Sequence, residues 1–273
     1  MTDEIDWLAL AARENGDPRD PALLLLHGFT GSGSVWAALA AGLRRRRLRT
    51  IAPDLPGHGR AGVPPDLASA SVERTADDLA RLVRRLDAAP AHVLGYSLGA
   101  RVALALAVAN PEVIDRLVLE SPSAGVADPA ERAARREADE RLADEIERDG
   151  LEAFIDRWER NPVFASHAKL DPRRASHQRE IRLRNSPAGL AASLRAAGQG
   201  AMTPLHDRLV EITRPTLVIA GALDPARHRA EQVAAGIPGA RLAIIVRAGH
   251  TPHLERPDAF RRLVIEFLQE DTP

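Results

Sequence analysis

The sequence predicts an α/β protein. Its core is a mostly parallel sheet with helices on both faces, interrupted by an inserted helical cap. Three observations carry this. Short aliphatic runs alternate with helix-like segments at both ends of the chain. The stretch from Ser121 to about Glu211 contains no convincing strand, only charged helical sequence such as 129-PAERAARREADERLADEIERDG-150. A crossover between parallel strands needs only ~10–15 residues, so this stretch is an insertion. Third, 95-GYSLG-99 joins a strand-like run to a helix-like one. The expected organisation is therefore core (1–120), cap (121–211) and core again (212–273).

Taken in order, Ala22 to Leu26 reads as a buried strand ending in HGF. Ser34 to Arg47 has helical spacing, with Trp36, Leu39 and Leu43 on one side. Its final 44-RRRR-47 reads as a solvated helix end, where cations complement the macrodipole. Arg49 to Asp54 is a second strand, closed by the turn-rich PDLPGHG. Val72 to Leu86 is an amphipathic helix with Val72, Leu79, Leu82, Val83 and Leu86 on its apolar face. Ser71 suits its N-cap, and Arg74 three residues on means no capping box. His92 to Tyr96 is a strand, Leu98 to Ala109 a buried helix, and Ile114 to Glu120 a strand. After the insertion come a strand at Thr216 to Ala220, a helix near Ala226 to Ala235, a strand at Leu242 to Val246 and a helix from Pro257 to Leu268.

Composition narrows the chemistry. The 273 residues carry a formal net charge of -1, so no overall basic field draws in nucleic acid. There is no cysteine, which removes disulfides, thiolate nucleophiles and Cys-ligated metals. The acidic start MTDEIDWLAL lacks the form of a signal peptide, and the longest apolar run, Val102 to Ala109, is too short to span a bilayer. A cytoplasmic protein that binds neither membrane nor nucleic acid is expected. No motif bears on oligomeric state. Lys169 is the only lysine, so arginine carries nearly all the positive charge.

Gly95-Tyr96-Ser97-Leu98-Gly99 matches G-x-S-x-G in its strand-to-helix context. The motif places a serine hydroxyl on a sharp turn at a helix N-terminus, where free N–H groups favour negative charge. Such a serine needs a base, and the base an orienting acid. Asp224 and His250 follow strand ends in the chain order this motif requires. Asp224 could instead serve only as a helix N-cap. Glu120 and His253 are the alternative acid and base. His58 is a candidate for the pocket mouth, whereas His27 reads as a brace. Two backbone donors would complete an oxyanion site: Leu98 N–H, and Phe29 N–H in 27-HGFTGSG-33, where Gly28 allows close approach.

HGFTGS followed by Trp36, PDLPGHG, GYSLGAR, LESPS, 158-WERNPVFAS-166, 182-RLRNSPAGLAASLRAAGQG-200 and 248-AGHTPHLERP-257 span almost the whole chain. Together they are similar to the 2-succinyl-6-hydroxy-2,4-cyclohexadiene-1-carboxylate synthase (MenH) family, whose core has the α/β-hydrolase fold. The resemblance implies a lyase of menaquinone biosynthesis that eliminates pyruvate from a small polycarboxylate, without metal or cofactor. It implies a serine acting as base rather than as acyl carrier. It also implies substrate carboxylates held at Arg101, Arg135 and Arg184, with Trp158 and Tyr96 lining the pocket. Arg101 carries weight from the residues alone, because an arginine inside GARVALALA would be a costly buried charge. The chain departs from the family at 224-DPARH-228, where a Lys-Phe pair is usual, and this bears on the pocket wall. The fold also supports a serine hydrolase of small carboxylate-bearing esters or of C–C bonds in diketone acids, or a binding module without catalysis.

Overall fold

The computed structural model describes residues 12–270; the MTDEIDWLAL stretch lies outside them. Seven strands form one sheet: β1 (Arg13–Asn15), β2 (Ala22–Leu26), β3 (Arg49–Ala52), β4 (Ala91–Tyr96), β5 (Ile114–Glu120), β6 (Thr216–Gly221) and β7 (Arg241–Ile245). The spatial order is β1-β3-β2-β4-β5-β6-β7. All neighbours are parallel except β1, which runs antiparallel to β3. Three polar residues without alternation gave β1 no strand signal; the exposed edge of β3 supplies its hydrogen bonds.

The helices are α1 (Ala37–Arg44), α2 (Val72–Arg85), α3 (Leu98–Ala109), α4 (Pro129–Asp149), α5 (Leu151–Trp158), α6 (Pro172–Arg182), α7 (Pro187–Ala197), α8 (Arg227–Gly236), α9 (Pro252–Glu255) and α10 (Pro257–Leu268). The helix expected over Ser34 to Arg47 is shorter. Gly33 N–H donates to Asp54 at 2.7 Å, pinning a 3-10 turn over Gly33–Trp36 before α1 begins. Arg47 adopts φ 57, which no helix continues. The four arginines at this end are exposed. Ser71 caps α2 as its sequence suggests, accepting from Arg74 N–H.

Strand alternation divides the core between the two sheet faces. Val93, Leu117, Leu119 and Val218 pack with α2, α3 and α8. Leu94, Val118, Leu217 and Ile219 pack with Trp36 and with Phe260 and Val264 of α10. Each fully buried leucine contributes about 1.5–3 kcal/mol relative to exposure. Between β5 and β6, helices α4, α5 and α7 build a separate small core of Ala143, Ile146, Phe154, Ile155, Leu190, Ala191 and Leu194. Phe29, at the end of β2, packs against that core as well as against the main one. No helix among the described residues is long and apolar enough to cross a membrane.

Register positions the loops. Leu26 pairs with Gly95, Tyr96 with Glu120, and Gly221 with Ile245. Parallel strands that end level bring residues 27–31, Ser97, Ser121, Asp224 and His250 to one rim, beneath the helices inserted after β5.

Candidate active site

Ser97 sits between β4 and α3 with φ 51 and ψ -104. Such a backbone costs a β-substituted residue about 1–3 kcal/mol and persists only where packing enforces it. The enforcement is visible. A Cβ at Gly95 would lie 2.3 Å from Gly99 O, and one at Gly99 would lie 2.3 Å from Leu26 O. Only glycines let β2, β4 and α3 pack this closely, and the tight turn aims the Ser97 hydroxyl off the sheet rim. Ser97 Oγ lies 3.2 Å from His250 Nε2, and His250 Nδ1 lies 2.8 Å from Asp224 Oδ2. A carboxylate only accepts, so Nδ1 carries the proton and Nε2 is the acceptor for Ser97 O–H.

Asp224 is buried, and burial alone would raise its pKa. The His250 hydrogen bond and charge, with a hydrogen bond from Ala226 N–H, outweigh this and hold it below the usual carboxylate value. The same carboxylate thus hydrogen-bonds the histidine and accepts from the Ala226 N–H just ahead of α8. The alternative pair is engaged elsewhere. Glu120 accepts from His253 Nδ1 at 2.8 Å and from His253 N–H at 2.8 Å, away from Ser97. Ser121 Oγ donates to His250 O at 3.0 Å, tying the histidine loop to the end of β5.

Phe29 and Leu98 both line the cavity beside Ser97. Among the described residues neither backbone N–H makes a hydrogen bond. The Phe29 loop is braced from three sides. His27 Nε2 accepts from Leu55 N–H at 2.9 Å, His58 Nε2 accepts from Thr30 N–H at 3.2 Å, and Asn185 Nδ2 donates to Thr30 O at 2.8 Å. A Cβ at Gly28 would lie 2.5 Å from the Tyr96 ring, so the loop rests directly on that residue. His58 is fully buried and does not reach the pocket mouth; the turn PGHG folds it inward as a second brace.

Burial depresses His27 from 6.5 to about 4. Burial, with the neighbouring His27, depresses His58 from 6.5 to about 3. Both are buried neutral, so the unfolded chain binds more protons below pH 6.5. Their contribution is complete above pH 6.5 and is lost as pH falls toward 4 and then 3, by up to about 3 kcal/mol for His27 and about 5 kcal/mol for His58. Urea titrations should show constant stability from pH 7 to 8 and a steady decline from 6.5 to 4. A flat profile down to pH 4.5 would contradict this bracing.

A cavity of about 390 Å³ lies over Ser97, between the rim and helices α4 to α7. Tyr96, Trp158, Arg101 and Arg135 line it, as do Phe164 and Arg229. Trp158 packs edge-on to Phe29 with ring centres 5.4 Å apart, and its buried Nε1 has no partner among the described residues. Arg101 reaches back one turn along α3. It is buried, donates to Ala197 O at 2.5 Å and has no carboxylate partner among the described residues. Burial and the nearby Arg135 lower its pKa to about 10, which leaves it charged at neutral pH. Arg135 donates to Asp139 at 2.9 Å. Among the described residues no cluster of three or more His, Asp or Glu side chains is arranged to hold a metal ion.

Arg184 is a correction. It is exposed and does not line the cavity. Helix α6 ends at Arg182, and residues two apart on a helical turn point to nearly opposite sides. Arg182 takes the inward direction, pairing with Glu159 at 2.8 Å with its guanidinium 5.3 Å from the Phe164 ring centre. Arg184→Ala should change turnover by less than about twofold, as for other exposed substitutions. A tenfold loss would return Arg184 to the site. Arg229, which no sequence signal distinguished from its neighbours in RHRAEQ, lies on the wall instead.

This sheet, elbow and rim define a protein of the alpha/beta hydrolase class, and the family model of that fold matches residues 21–257. A Bacillus subtilis (strain 168) protein, provisionally named 2-succinyl-6-hydroxy-2,4-cyclohexadiene-1-carboxylate synthase, is 39% identical over 96% of each chain. The Klebsiella pneumoniae synthase of that name is 32% identical over 94% of this chain and 98% of its own. The solved structure of MenH from S. aureus superposes with a TM-score of 0.90 at 31% identity, covering 95% of this chain and 98% of that one. The chain belongs to the 2-succinyl-6-hydroxy-2,4-cyclohexadiene-1-carboxylate synthase family.

Proposed function

We propose that this chain eliminates pyruvate from 2-succinyl-5-enolpyruvyl-6-hydroxy-3-cyclohexene-1-carboxylate, giving 2-succinyl-6-hydroxy-2,4-cyclohexadiene-1-carboxylate in menaquinone biosynthesis. One observation carries this reading beyond family membership. The cavity that holds Ser97 also holds Arg101, a buried cation one helical turn away that forms no ion pair among the described residues. An uncompensated buried charge is costly, and a substrate carboxylate would compensate it.

In the mechanism, Ser97 removes the proton α to the succinyl ketone. His250 Nε2 accepts the hydroxyl proton, and Asp224 holds the imidazole in the tautomer that can do so. The enolate oxygen forms where Phe29 and Leu98 N–H groups can donate to it. Its electron pair returns through the ring, breaks the C–O bond to the enolpyruvyl group and expels it. The leaving group regains a proton and tautomerises to pyruvate. No bond forms between Ser97 and substrate. Residues 121–211 act as the cap, with Trp158, Arg135 and Phe164 closing the chamber over the ring. A multiply charged intermediate does not cross a bilayer, which suits a cytoplasmic enzyme.

Supplying this substrate to the purified chain and coupling pyruvate to NADH oxidation by lactate dehydrogenase tests the reading. Pyruvate should appear in stoichiometric yield. Folded protein that releases none above background would exclude it.

A further inference from the structure

We infer that Arg229, held by Gln199, is a carboxylate seat on the core side of the cavity and a specificity determinant of this chain; the inference rests on the elimination reading. Arg229 belongs to the first turn of α8, just beyond Asp224. It lines the same cavity as Ser97 and Arg101 and is half-buried there. Its Nη1 donates to Gln199 Oε1 at 2.8 Å. Gln199, just past α7, lines the cavity too, and its amide N–H2 can donate to the anion that Arg229 attracts.

The pairing pattern separates this arginine from its neighbours. Arg227, two residues earlier, is spent on Glu231 at 2.9 Å. Arg195 is shared among Glu140, Asp144 and Glu147. Arg229 has no carboxylate within ion-pair distance among the described residues, although acidic side chains outnumber basic ones in the chain. Arg101, Arg135 and Arg229 all line this cavity, and the positive charge of Arg135 acts on both of the others. Among the described residues Arg135 alone of the three has a direct ion pair, with Asp139, while Asp224 is hydrogen-bonded to His250. Like charges lining one cavity disfavour one another, and the arrangement is relieved by a ligand bearing more than one carboxylate. Arg101 and Arg229 approach from different helices, α3 and α8, and so suit two separate carboxylates.

The probe is 2-succinylbenzoate, an aromatic analogue of the product with two carboxylates. Its binding, measured by calorimetry, does not require turnover. Arg229→Gln should weaken binding by about 10- to 100-fold, the loss expected for one charge-assisted contact. Arg229→Lys should recover part of that loss. Arg184→Gln removes the same charge from the exposed surface and should bind within about twofold of the parent. Binding by Arg229→Gln within twofold of the parent overturns the seat, as does a parent protein that does not bind the probe. Should the parent bind the probe through Arg229 yet release no pyruvate from the pathway substrate, the elimination reading fails and the seat stands.

Discussion

Ser97→Ala is expected to lower kcat for pyruvate release by about a thousandfold or more while KM changes little. The hydroxyl lies 3.2 Å from His250 Nε2 and shares its cavity with Phe29 and Leu98. Removing it leaves the arginines and the oxyanion donors in place, so substrate should still bind. Alanine also fits the strained turn no worse than serine, so circular dichroism and melting temperature should be close to those of the parent. His250→Ala should cost nearly as much, and the double variant little more, because the two groups act as one unit. Single-turnover measurement of pyruvate checks all three. A Ser97→Ala variant within tenfold of the parent would remove the serine from the mechanism.

The second large effect is expected at Arg101. Arg101→Met should reduce kcat/KM by about 100-fold, the usual cost of truncating one partner of a desolvated, charge-assisted pair. The same substitution should leave the free protein as stable as before, or more so. Among the described residues Arg101 is a buried cation bonded only to Ala197 O and to Met202 Sδ, and an apolar side chain of similar length removes that cost. Paired measurements of kcat/KM and thermal midpoint therefore separate a binding role from a structural one. Loss of stability with catalysis intact would make Arg101 a core residue that happens to be polar.

How much of this was legible in the chain depends on the kind of signal. The strands β4, β5 and β6 announced themselves as aliphatic runs because both their faces are buried, and the G-x-S-x-G turn was readable because close packing admits only glycine at Gly95 and Gly99. Arg101 stood out because it contradicts its surroundings in an otherwise apolar helix. Cap positions were harder. Arg182 and Arg184 belong to one charged run, and which of them turns inward depends on where α6 stops, a detail the run does not encode. Arg229 was hidden in the same way, since RHRAEQ reads as an ordinary exposed helix start. Strand β1 could not be read at all, because its pairing comes from β3 rather than from its own residues. His58 looked like a pocket residue in PGHG; only the three-dimensional path of that turn shows it facing the Phe29 loop.

Fold and triad geometry alone would suit acyl transfer as well as proton abstraction, since both need the same serine, histidine and oxyanion donors. The arginines mark the difference. They suit a small anion bearing several carboxylates and give no advantage to a neutral ester. The most direct measurement is kcat/KM for pyruvate release from 2-succinyl-5-enolpyruvyl-6-hydroxy-3-cyclohexene-1-carboxylate beside kcat/KM for hydrolysis of p-nitrophenyl butyrate, with one preparation in one buffer. The elimination should be faster by about three orders of magnitude or more, within the range that transition-state recognition supplies. Rapid ester hydrolysis with no pyruvate would contradict it, and would make Ser97 the nucleophile of a hydrolase.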